Sequence, residues 1–246
     1  LRRAVESVRE QLYPDWELCI ADDASTAAWV RPCLEELAAA DPRIRTVLRS
    51  ANGHISAASN SALALASGEF VALLDHDDEL PPHALYAVAA ALNENRELDV
   101  IYSDEDKIDE QGARFDAYFK PDWNPDLLLG QNMISHLGVY RRSLVEAVGG
   151  FREGYEGSQD WDLALRVVER TRAERIHHIP TVLYHWRTVS GSTSTGHEQK
   201  GYVLAASRRL LEDHLARQGR AGDVLDAGGS HFRVRYRLPE SPPRVC

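Results

Sequence analysis

The chain has 246 residues, of which 43% are hydrophobic and 27% are charged. This length suits one α/β domain, or one domain with a small addition, and the composition excludes an intrinsically disordered chain. The formal net charge of −10 disfavours nucleic acid as a partner, three cysteines are too few for a disulfide framework, and no apolar run reaches the roughly 20 residues of a membrane span.

The first hundred residues alternate between helix and strand patterns. The chain opens inside an amphipathic helix, with Val5, Val8 and Leu12 at helical spacing and no strand before it. Strands are predicted at 17–21, 44–48, 69–74 and 99–103, and helices at 27–40, 56–66 and 83–95. Such alternation is typical of a mostly parallel central sheet flanked by helices, so we expect an α/β fold whose first strand is missing.

The second half of the chain is less regular. Residues 104–130 carry turn and proline signals and are expected to line a site or to form a hairpin. Further strands are predicted at 133–140, 175–184 and 232–238, helices at 143–148, 161–169 and 199–218, and a mobile loop at 190–196. Residues 239–243 have a linker composition. We therefore predict a main domain over residues 1–220, and a strand and linker over 221–246 that lead to a further domain.

Three carboxylates fall within four residues in Asp75-His76-Asp77-Asp78, directly after an apolar strand. Open α/β sheets bind ligands at the carboxyl ends of their strands, and clustered carboxylates repel one another unless a cation joins them. Oxygen ligands of this kind select Mg²⁺ or Mn²⁺, which also bind pyrophosphate. A solvated acidic turn is the alternative, and the position after a buried strand favours the metal.

A second acidic pair, Asp22-Asp23, follows an earlier predicted strand. Two acidic strand ends at one edge of a sheet can converge on a single crevice, one serving a base or ribose and the other a metal. A helix N-cap is the alternative for this pair.

Several ordered pieces of the sequence resemble family 2 glycosyltransferases of the GT-A fold, and more narrowly the bacterial enzymes of polysaccharide and O-antigen synthesis. The matching pieces are 22–25, 52–60, 68–78, 102–107, 119–123, 159–162 and 185–187. The resemblance implies hexosyl or deoxyhexosyl transfer from a UDP- or dTDP-sugar to a saccharide or lipid-linked saccharide acceptor. It also implies Mg²⁺ or Mn²⁺ as the cofactor and a place in the cytoplasm or at the inner face of the membrane.

The resemblance further implies which residues perform the reaction. Asp160 would be the general base, and a single carboxylate opposite the leaving group would invert the anomeric centre. Donor-binding roles are implied for Asp22, Asp23, Asn60, Asp75 and Arg187. Metal-binding roles are implied for Asp77 and His185.

Two more residues are assigned to the donor site from their positions. Asp104 follows a predicted strand on the ligand side, and Trp161 opens a predicted helix with a ring that can stack on a sugar. The alternatives are a solvated charge for Asp104 and core packing for Trp161. The residues assigned from the resemblance also have alternative interpretations. Asp160 can be an acid that stabilises a helix N-terminus, His185 a hydrogen-bonded histidine at a strand end, and Arg187 a surface charge.

Two rival functions remain open at this point. A sugar-phosphate nucleotidyltransferase shares the strand-end carboxylates and the metal, but the pieces at 159–162 and 185–187 argue against it. A non-catalytic nucleotide-binding scaffold is the other, and retention of the acidic residues argues against it.

The sequence departs from the family at Gln159, where glutamate is commoner, and in lacking the first strand, so we expect this segment alone to be weakly active or unstable. His136 is left between an acceptor contact and a packing role.

Overall fold

Helices and strands alternate in a computed structural model that describes residues 1–188, 199–238 and 241. The helices are α1 (Arg2–Arg9), α2 (Val30–Ala40), α3 (His54–Leu63), α4 (Ala84–Glu94), α5 (Pro125–Gly130), α6 (Arg142–Ala147), α7 (Gln159–Val168) and α8 (Gln199–Arg217), with a 3₁₀ turn at Ala173–Arg175. The strands are β1 (Leu18–Asp22), β2 (Ile44–Leu48), β3 (Phe70–Ala72), β4 (Val100–Ile108), β5 (Arg114–Tyr118), β6 (Gly138–Arg141), β7 (Ile176–Arg187), β8 (Gly222–Gly228) and β9 (His231–Tyr236). The predicted α/β class is confirmed.

The strands form a mixed arrangement. β1 and β2 pair in parallel, β4 and β7 pair in parallel, and β8 and β9 form an antiparallel hairpin. β6 lies between β3 and β4 and runs antiparallel to both, and β5 is antiparallel to the second half of β4. The prediction of a mostly parallel sheet is therefore confirmed only in part. β6 comes from much later in the chain than β3, and local periodicity does not reveal which strands become neighbours.

β4 is the central strand and is longer than predicted. The sequence pattern ended it at residue 103, but the strand continues to Ile108 and buries Asp104, Glu105 and Asp106. Each carboxylate meets a cationic or polar group from another element: His178 for Asp104, Lys120 for Glu105 and Arg114 for Asp106. These partners offset the cost of burying charge, and local sequence does not identify them.

Both faces of the larger sheet are covered. Alternate residues of a strand point to opposite faces, so Tyr102 and Ile101 enter different hydrophobic clusters. The cluster on the Tyr102 face includes Trp161 of α7 and also Val224 and Phe232 from the β8–β9 hairpin. The hairpin thus packs on the same core as α7, although β8 gave no strand signal in the sequence.

The end of helix α7 is joined to α8 by a partly buried cluster of polar side chains at Glu169. His214 Nδ1 lies 2.7 Å from Glu169 Oε1, and Arg217 Nε donates to Oε2 at 2.8 Å. Burial opposes ionisation of Glu169, but the hydrogen bonds from His214 and Arg217 outweigh it and lower the pKa of Glu169 to about 2. The ionised carboxylate therefore stabilises the folded state.

We expect Glu169→Gln to lower the free energy of unfolding by about 2 kcal/mol at pH 7. Because the folded pKa is depressed, this contribution is complete above the usual value of 4.5 and is lost as the pH falls from about 5 towards 2. Denaturant unfolding of both proteins at pH 7 and pH 3.5 measures the difference. A difference that does not shrink at pH 3.5 would contradict this account.

A cleft of about 650 Å³ leads to one end of the sheet. It is lined by Leu18 and Cys19 of β1 and by β3, and in the described part of the chain these two strands belong to separate sheets with no ladder between them. The cleft reaches Asp75 and Asp160. The carboxyl end of β3 and the start of α7 therefore meet at one place.

Two predicted segments cannot be compared with the structure. The loop at 190–196 lies outside the described residues, as does the linker at 239–243 apart from residue 241. Within the described ranges, every helix is too short or too polar to span a lipid bilayer.

Candidate active site

The turn after β3 places the acidic segment at the end of the cleft. Asp75 is exposed, Asp78 is buried, and together with half-buried His136 they offer ligand atoms within 4.8 Å of one another. Tyr184 ties the Asp75 backbone to the Asp78 carboxylate, because its hydroxyl accepts from the Asp75 amide at 3.2 Å and donates to Asp78 Oδ2 at 2.5 Å. The turn is therefore fixed by β7.

Asp78 is engaged within the protein on both oxygens. Oδ1 accepts from the Arg187 amide at 2.7 Å, and Oδ2 accepts from the Tyr184 hydroxyl. Burial nevertheless raises the pKa of Asp78 to about 6, since it outweighs these hydrogen bonds. Asp78 is thus an anchor of the turn, whereas Asp75 faces the cleft.

His136 lies beside Asp75 on a stacked aromatic surface. Its ring is 4.3 Å from the Tyr184 ring with an interplanar angle of 11°, and its Nδ1 is 3.4 Å from Glu105 Oε2. Burial opposes protonation, but Glu105 outweighs it and raises the pKa of His136. The ring is therefore easier to protonate than a free histidine, and it lies beside the carboxylates of the cleft.

Asp160 lies in the first turn of α7 and lines the same cleft. Asn132 Nδ2 donates to Asp160 Oδ2 at 2.7 Å, which fixes the orientation of the carboxylate. Burial raises the pKa of Asp160, and nearby Asp75 raises it further while His136 opposes the shift. A carboxylate held this way, with an elevated pKa, is suited to accept a proton.

The predicted metal ligands Asp77 and His185 are placed differently from each other. The Asp77 side chain is 39% exposed, and its Oδ1 is 3.8 Å from His76 Nδ1. His185 Nδ1 lies 2.5 Å from Asp106 Oδ1, which leaves Nε2 for another partner and matches the carboxylate-histidine arrangement common at metal sites. Residue 185 also forms a backbone bridge with Glu79, two residues beyond Asp77. Their metal-binding role stays a prediction.

The predicted nucleobase residues lie at the carboxyl end of β1. Asp22 Oδ1 accepts from the Ser25 amide at 3.2 Å, and Asp23 Oδ1 pairs with Arg49 Nε at 2.7 Å and accepts from the Gly53 amide at 3.0 Å. The charge of Asp23 is therefore already balanced within the chain. A nucleobase contact by either residue stays a prediction.

Asn60 holds the chain that leads into α7. Its Nδ2 donates to the Phe151 carbonyl at 2.8 Å, and its Oδ1 accepts from the Phe151 amide at the same distance. Phe151 lines the cleft. Asn60 thus shapes the cleft through the Phe151 backbone, and its predicted role in the donor pocket is untested.

Three predicted donor-site residues are buried and have partners within the chain. Asp104 accepts from the Lys120 amide at 2.9 Å and lies 2.8 Å from His178 Nε2. Trp161 is 4% exposed in the core, and its indole N–H donates to the Leu128 carbonyl. Asp104 and Trp161 therefore have structural roles here, and their contact with a donor stays a prediction.

Arg187 is the third of these residues. Its Nε donates to the Asp77 carbonyl and its Nη1 to the Asp109 carbonyl, both at 2.9 Å, and its Nη2 pairs with Glu79. Arg187 thus ties the acidic turn to β7. Its contact with a phosphate also stays a prediction.

Comparison with known proteins places this site in a family. Residues 1–149 match the family model described as glycosyl transferase family 2. The chain belongs to glycosyl transferase family 2. The family prediction is thereby confirmed.

Two relatives of known sequence that match nearly the whole chain are themselves much longer. It is 55% identical over 242 residues to the uncharacterized protein y4gI of Sinorhizobium fredii and 41% identical over 242 residues to the O-antigen biosynthesis protein RfbC of Myxococcus xanthus. Each alignment covers 98% of this chain but only 27% and 19% of the two relatives, respectively. The chain thus spans about a quarter of the length of y4gI and about a fifth of the length of RfbC.

Solved structures show the same fold. S. aureus TarS 1–349 in complex with UDP-GlcNAc matches with a TM-score of 0.65 and 19% identity, covering 88% of this chain and 68% of that one. The mannosyltransferase PcManGT from Pyrobaculum calidifontis, in complex with GDP-Man and Mn²⁺, matches with a TM-score of 0.59 and 18% identity, covering 89% and 70%. The predicted GT-A fold is confirmed, and at these identities the likeness concerns the fold alone.

Some residues of this glycosyltransferase site had no role predicted from the sequence. Asn132, Tyr184 and Glu105 reach the cleft groups only through tertiary contacts, and Lys120 lies in a matching piece without an assigned function. For Lys120, the sequence feature that could have indicated a role is its position between Phe119 and Pro121, where a charged residue is unexpected. It indicates a buried ion pair only once a partner strand is known.

Proposed function

We propose that this domain transfers a sugar from a nucleoside-diphosphate sugar to the hydroxyl of a saccharide or lipid-linked saccharide, with inversion and with Mg²⁺ or Mn²⁺. The observation that carries the proposal is the cleft that brings the strand-end carboxylate of Asp75 and the Asp160 carboxylate to one place. The UDP-GlcNAc bound by TarS and the GDP-Man and Mn²⁺ bound by PcManGT support the donor class and the metal. The RfbC relative, an O-antigen biosynthesis protein, supports a place in polysaccharide synthesis.

Asp160 would act as the general base. It would take the proton of the acceptor hydroxyl while the acceptor oxygen bonds to the anomeric carbon and the bond from that carbon to the diphosphate oxygen breaks. One base and one displacement invert the anomeric centre. The elevated pKa of Asp160 suits this role, because a general base is stronger, and more effective, when its pKa is raised towards the working pH.

The donor set at the acidic turn fits a divalent cation. Carboxylate and imidazole ligands suit Mn²⁺, and carboxylates suit Mg²⁺. We keep Asp77 and His185 as the proposed metal ligands. Asp75, Asp78 and His136 offer ligand atoms within 4.8 Å of one another, but both Asp78 oxygens already accept hydrogen bonds within the chain, so we propose Asp75 rather than Asp78 as a further ligand. When bound, the ion would stabilise negative charge on the departing diphosphate.

The assignment predicts opposite effects for two neighbouring carboxylates. Asp77→Asn is expected to weaken Mn²⁺ binding at least tenfold without changing the melting temperature. Asp78→Asn is expected to lower the melting temperature by several degrees, because it disturbs the bonds to Tyr184 and Arg187, and to leave Mn²⁺ affinity within about threefold. Calorimetric titration with Mn²⁺ alone and thermal unfolding measure both. The reverse pattern would move the metal to Asp78.

A turnover assay tests the proposed function itself. The protein is incubated with Mn²⁺ and a panel of UDP-, dTDP- and GDP-sugars, and the released products are identified. Nucleoside diphosphate is the expected product, whereas pyrophosphate would indicate a nucleotidyltransferase. Stabilisation against heat by one nucleotide sugar identifies the donor, because a ligand that binds only the folded state raises the melting temperature. Binding without any turnover would indicate the scaffold alternative.

A further inference from the structure

Lys120 carries a buried ammonium group close to the cleft. Its side chain is 0% exposed, and Nζ donates to Glu105 Oε2 at 3.0 Å, to the Ile134 carbonyl at 2.9 Å and to the His136 carbonyl at 2.5 Å. An ammonium group has three donors, and all three are satisfied. Burying this charge costs several kcal/mol unless its partners are well placed, so the arrangement demands a defined geometry.

Two of these acceptors belong to a turn of residues 132–136, which we name the site turn. They flank Ser135, whose φ of 35° lies in a region that residues other than glycine rarely adopt. Side chains hold its amides, because the Ser135 amide donates to Asn132 Oδ1 at 3.2 Å and the His136 amide to Glu105 Oε2 at 3.2 Å. The strained backbone depends on these bonds and on Lys120.

The site turn carries groups that reach the cleft. Ser135 and His136 line it, and Asn132 donates to the Asp160 carboxylate. Lys120 has no hydrogen bond to Asp160 or Asp75 among the described contacts, so it acts on them only through the turn.

We propose that Lys120 is a positioning residue which, with Glu105, clamps the site turn so that Asn132 orients Asp160 and His136 faces Asp75. The inference rests on the proposed function, because it takes Asp160 as the base. A base displaced by about 1 Å loses roughly a hundredfold in rate, so the clamp has a large effect on catalysis without touching the substrate.

The test removes both charges of the clamp together. Lys120→Met alone would leave Glu105 buried without its cation and is expected to fold poorly. The double variant Lys120→Met/Glu105→Gln removes both charges and is expected to unfold cooperatively on heating. Its kcat is expected to fall about 100-fold, with the KM for the donor identified in the panel assay changing less than about threefold.

Hydrogen exchange supplies a readout that does not depend on activity. The amides of Ser135, His136 and Leu137 are expected to exchange at least tenfold faster in the double variant than in the wild-type protein, because local opening of the turn becomes easier. A merely structural ion pair would lower global stability without this local change.

A matched control removes another partly buried ion pair. Asp99 Oδ1 accepts from Arg141 Nε at 2.8 Å, and Arg141 pairs with Phe70 at the far end of β3 from Asp75. Asp99→Asn/Arg141→Met is expected to lose stability while kcat and exchange at the site turn remain unchanged.

The outcomes separate this inference from the proposed function. A cooperative double variant with wild-type kcat overturns the proposal, whether or not the turn exchanges faster. Wild-type exchange rates at residues 135–137 overturn it as well. If the wild-type protein transfers no sugar from any donor, the proposed function fails, and the exchange comparison by itself decides whether Lys120 clamps the turn.

Discussion

Asp160→Asn is expected to reduce the rate of sugar transfer by a factor of about 10² to 10⁴, the usual contribution of a general base. Asparagine has nearly the shape of aspartate and can keep the bond to Asn132, but it cannot take the acceptor proton. The KM for the donor is expected to change little, because the base acts on the acceptor in the transition state. Steady-state kinetics of nucleoside diphosphate release measure both constants.

The matched control for this variant is Asp126→Asn. Asp126 is an exposed carboxylate in the first turn of α5, as Asp160 is a cleft carboxylate in the first turn of α7. The control is expected to keep the wild-type rate. An Asp160→Asn enzyme that also kept it would exclude Asp160 as the base.

The pH dependence of the wild-type enzyme follows from the same residue. The base must be ionised, so the rate falls as the pH drops through its pKa. Because burial and Asp75 raise the pKa of Asp160 above the usual 3.8, the fall is expected at a higher pH than for an exposed aspartate. A metal bound at Asp75 would offset that repulsion and move the fall back towards lower pH.

Asp162→Ala is expected to lower the free energy of unfolding by about 3–5 kcal/mol. The Asp162 side chain is 0% exposed and pairs with Arg166 Nη2 at 2.7 Å and with Arg152 Nε at 3.1 Å. The Arg166 side chain is only 7% exposed, and burial lowers its pKa, so removing the carboxylate leaves a buried charge poorly compensated. Denaturant unfolding at pH 7 measures the loss.

An exposed ion pair provides the comparison. Arg142 and Glu146 are four residues apart on α6, and the Glu146 side chain is 52% exposed. Glu146→Ala is expected to cost about 0.5 kcal/mol or less, because exposed pairs are screened by solvent. A loss below about 1 kcal/mol for Asp162→Ala would show that Arg166 is satisfied by the Val148 and Gly150 carbonyls, to which it also donates.

Asp160 and Asp162 show how one helix separates function from stability. Residues two apart on a helix do not share a face, so Asp160 lines the cleft while Asp162 is buried against Arg152 and Arg166. We therefore expect Asp160→Asn to slow sugar transfer without a large loss of stability. Asp162→Ala is expected to lower the free energy of unfolding much more than it slows transfer.

Local pattern in the sequence was sufficient for much of the fold. β2 lies at Ile44–Leu48 as predicted, and the acidic segment follows β3, because apolar runs and strand-end polar residues are local signals. The motifs and their order along the chain were also sufficient to identify the family. The candidate base was named for the same reason, since Asp160 lies within such a motif.

Contacts between distant residues decided the rest. β4 continues through Asp104, Glu105 and Asp106 because each carboxylate has a partner from another part of the chain. His178 is more than seventy residues from Asp104, Lys120 is fifteen from Glu105, and Arg114 is eight from Asp106. Likewise, Trp161 and Asp104 are buried and internally bonded, which their local sequence does not indicate.

The class of fold, the family and the acidic turn were thus readable from the chain itself, because each depends on the spacing of neighbouring residues. Which acid faces the cleft, which anchors the turn and which supports the core depended on tertiary structure. Aspartate has the same local signature in all three settings, and only its surroundings determine whether it is free to bind a metal, accept a proton or pair with a buried arginine.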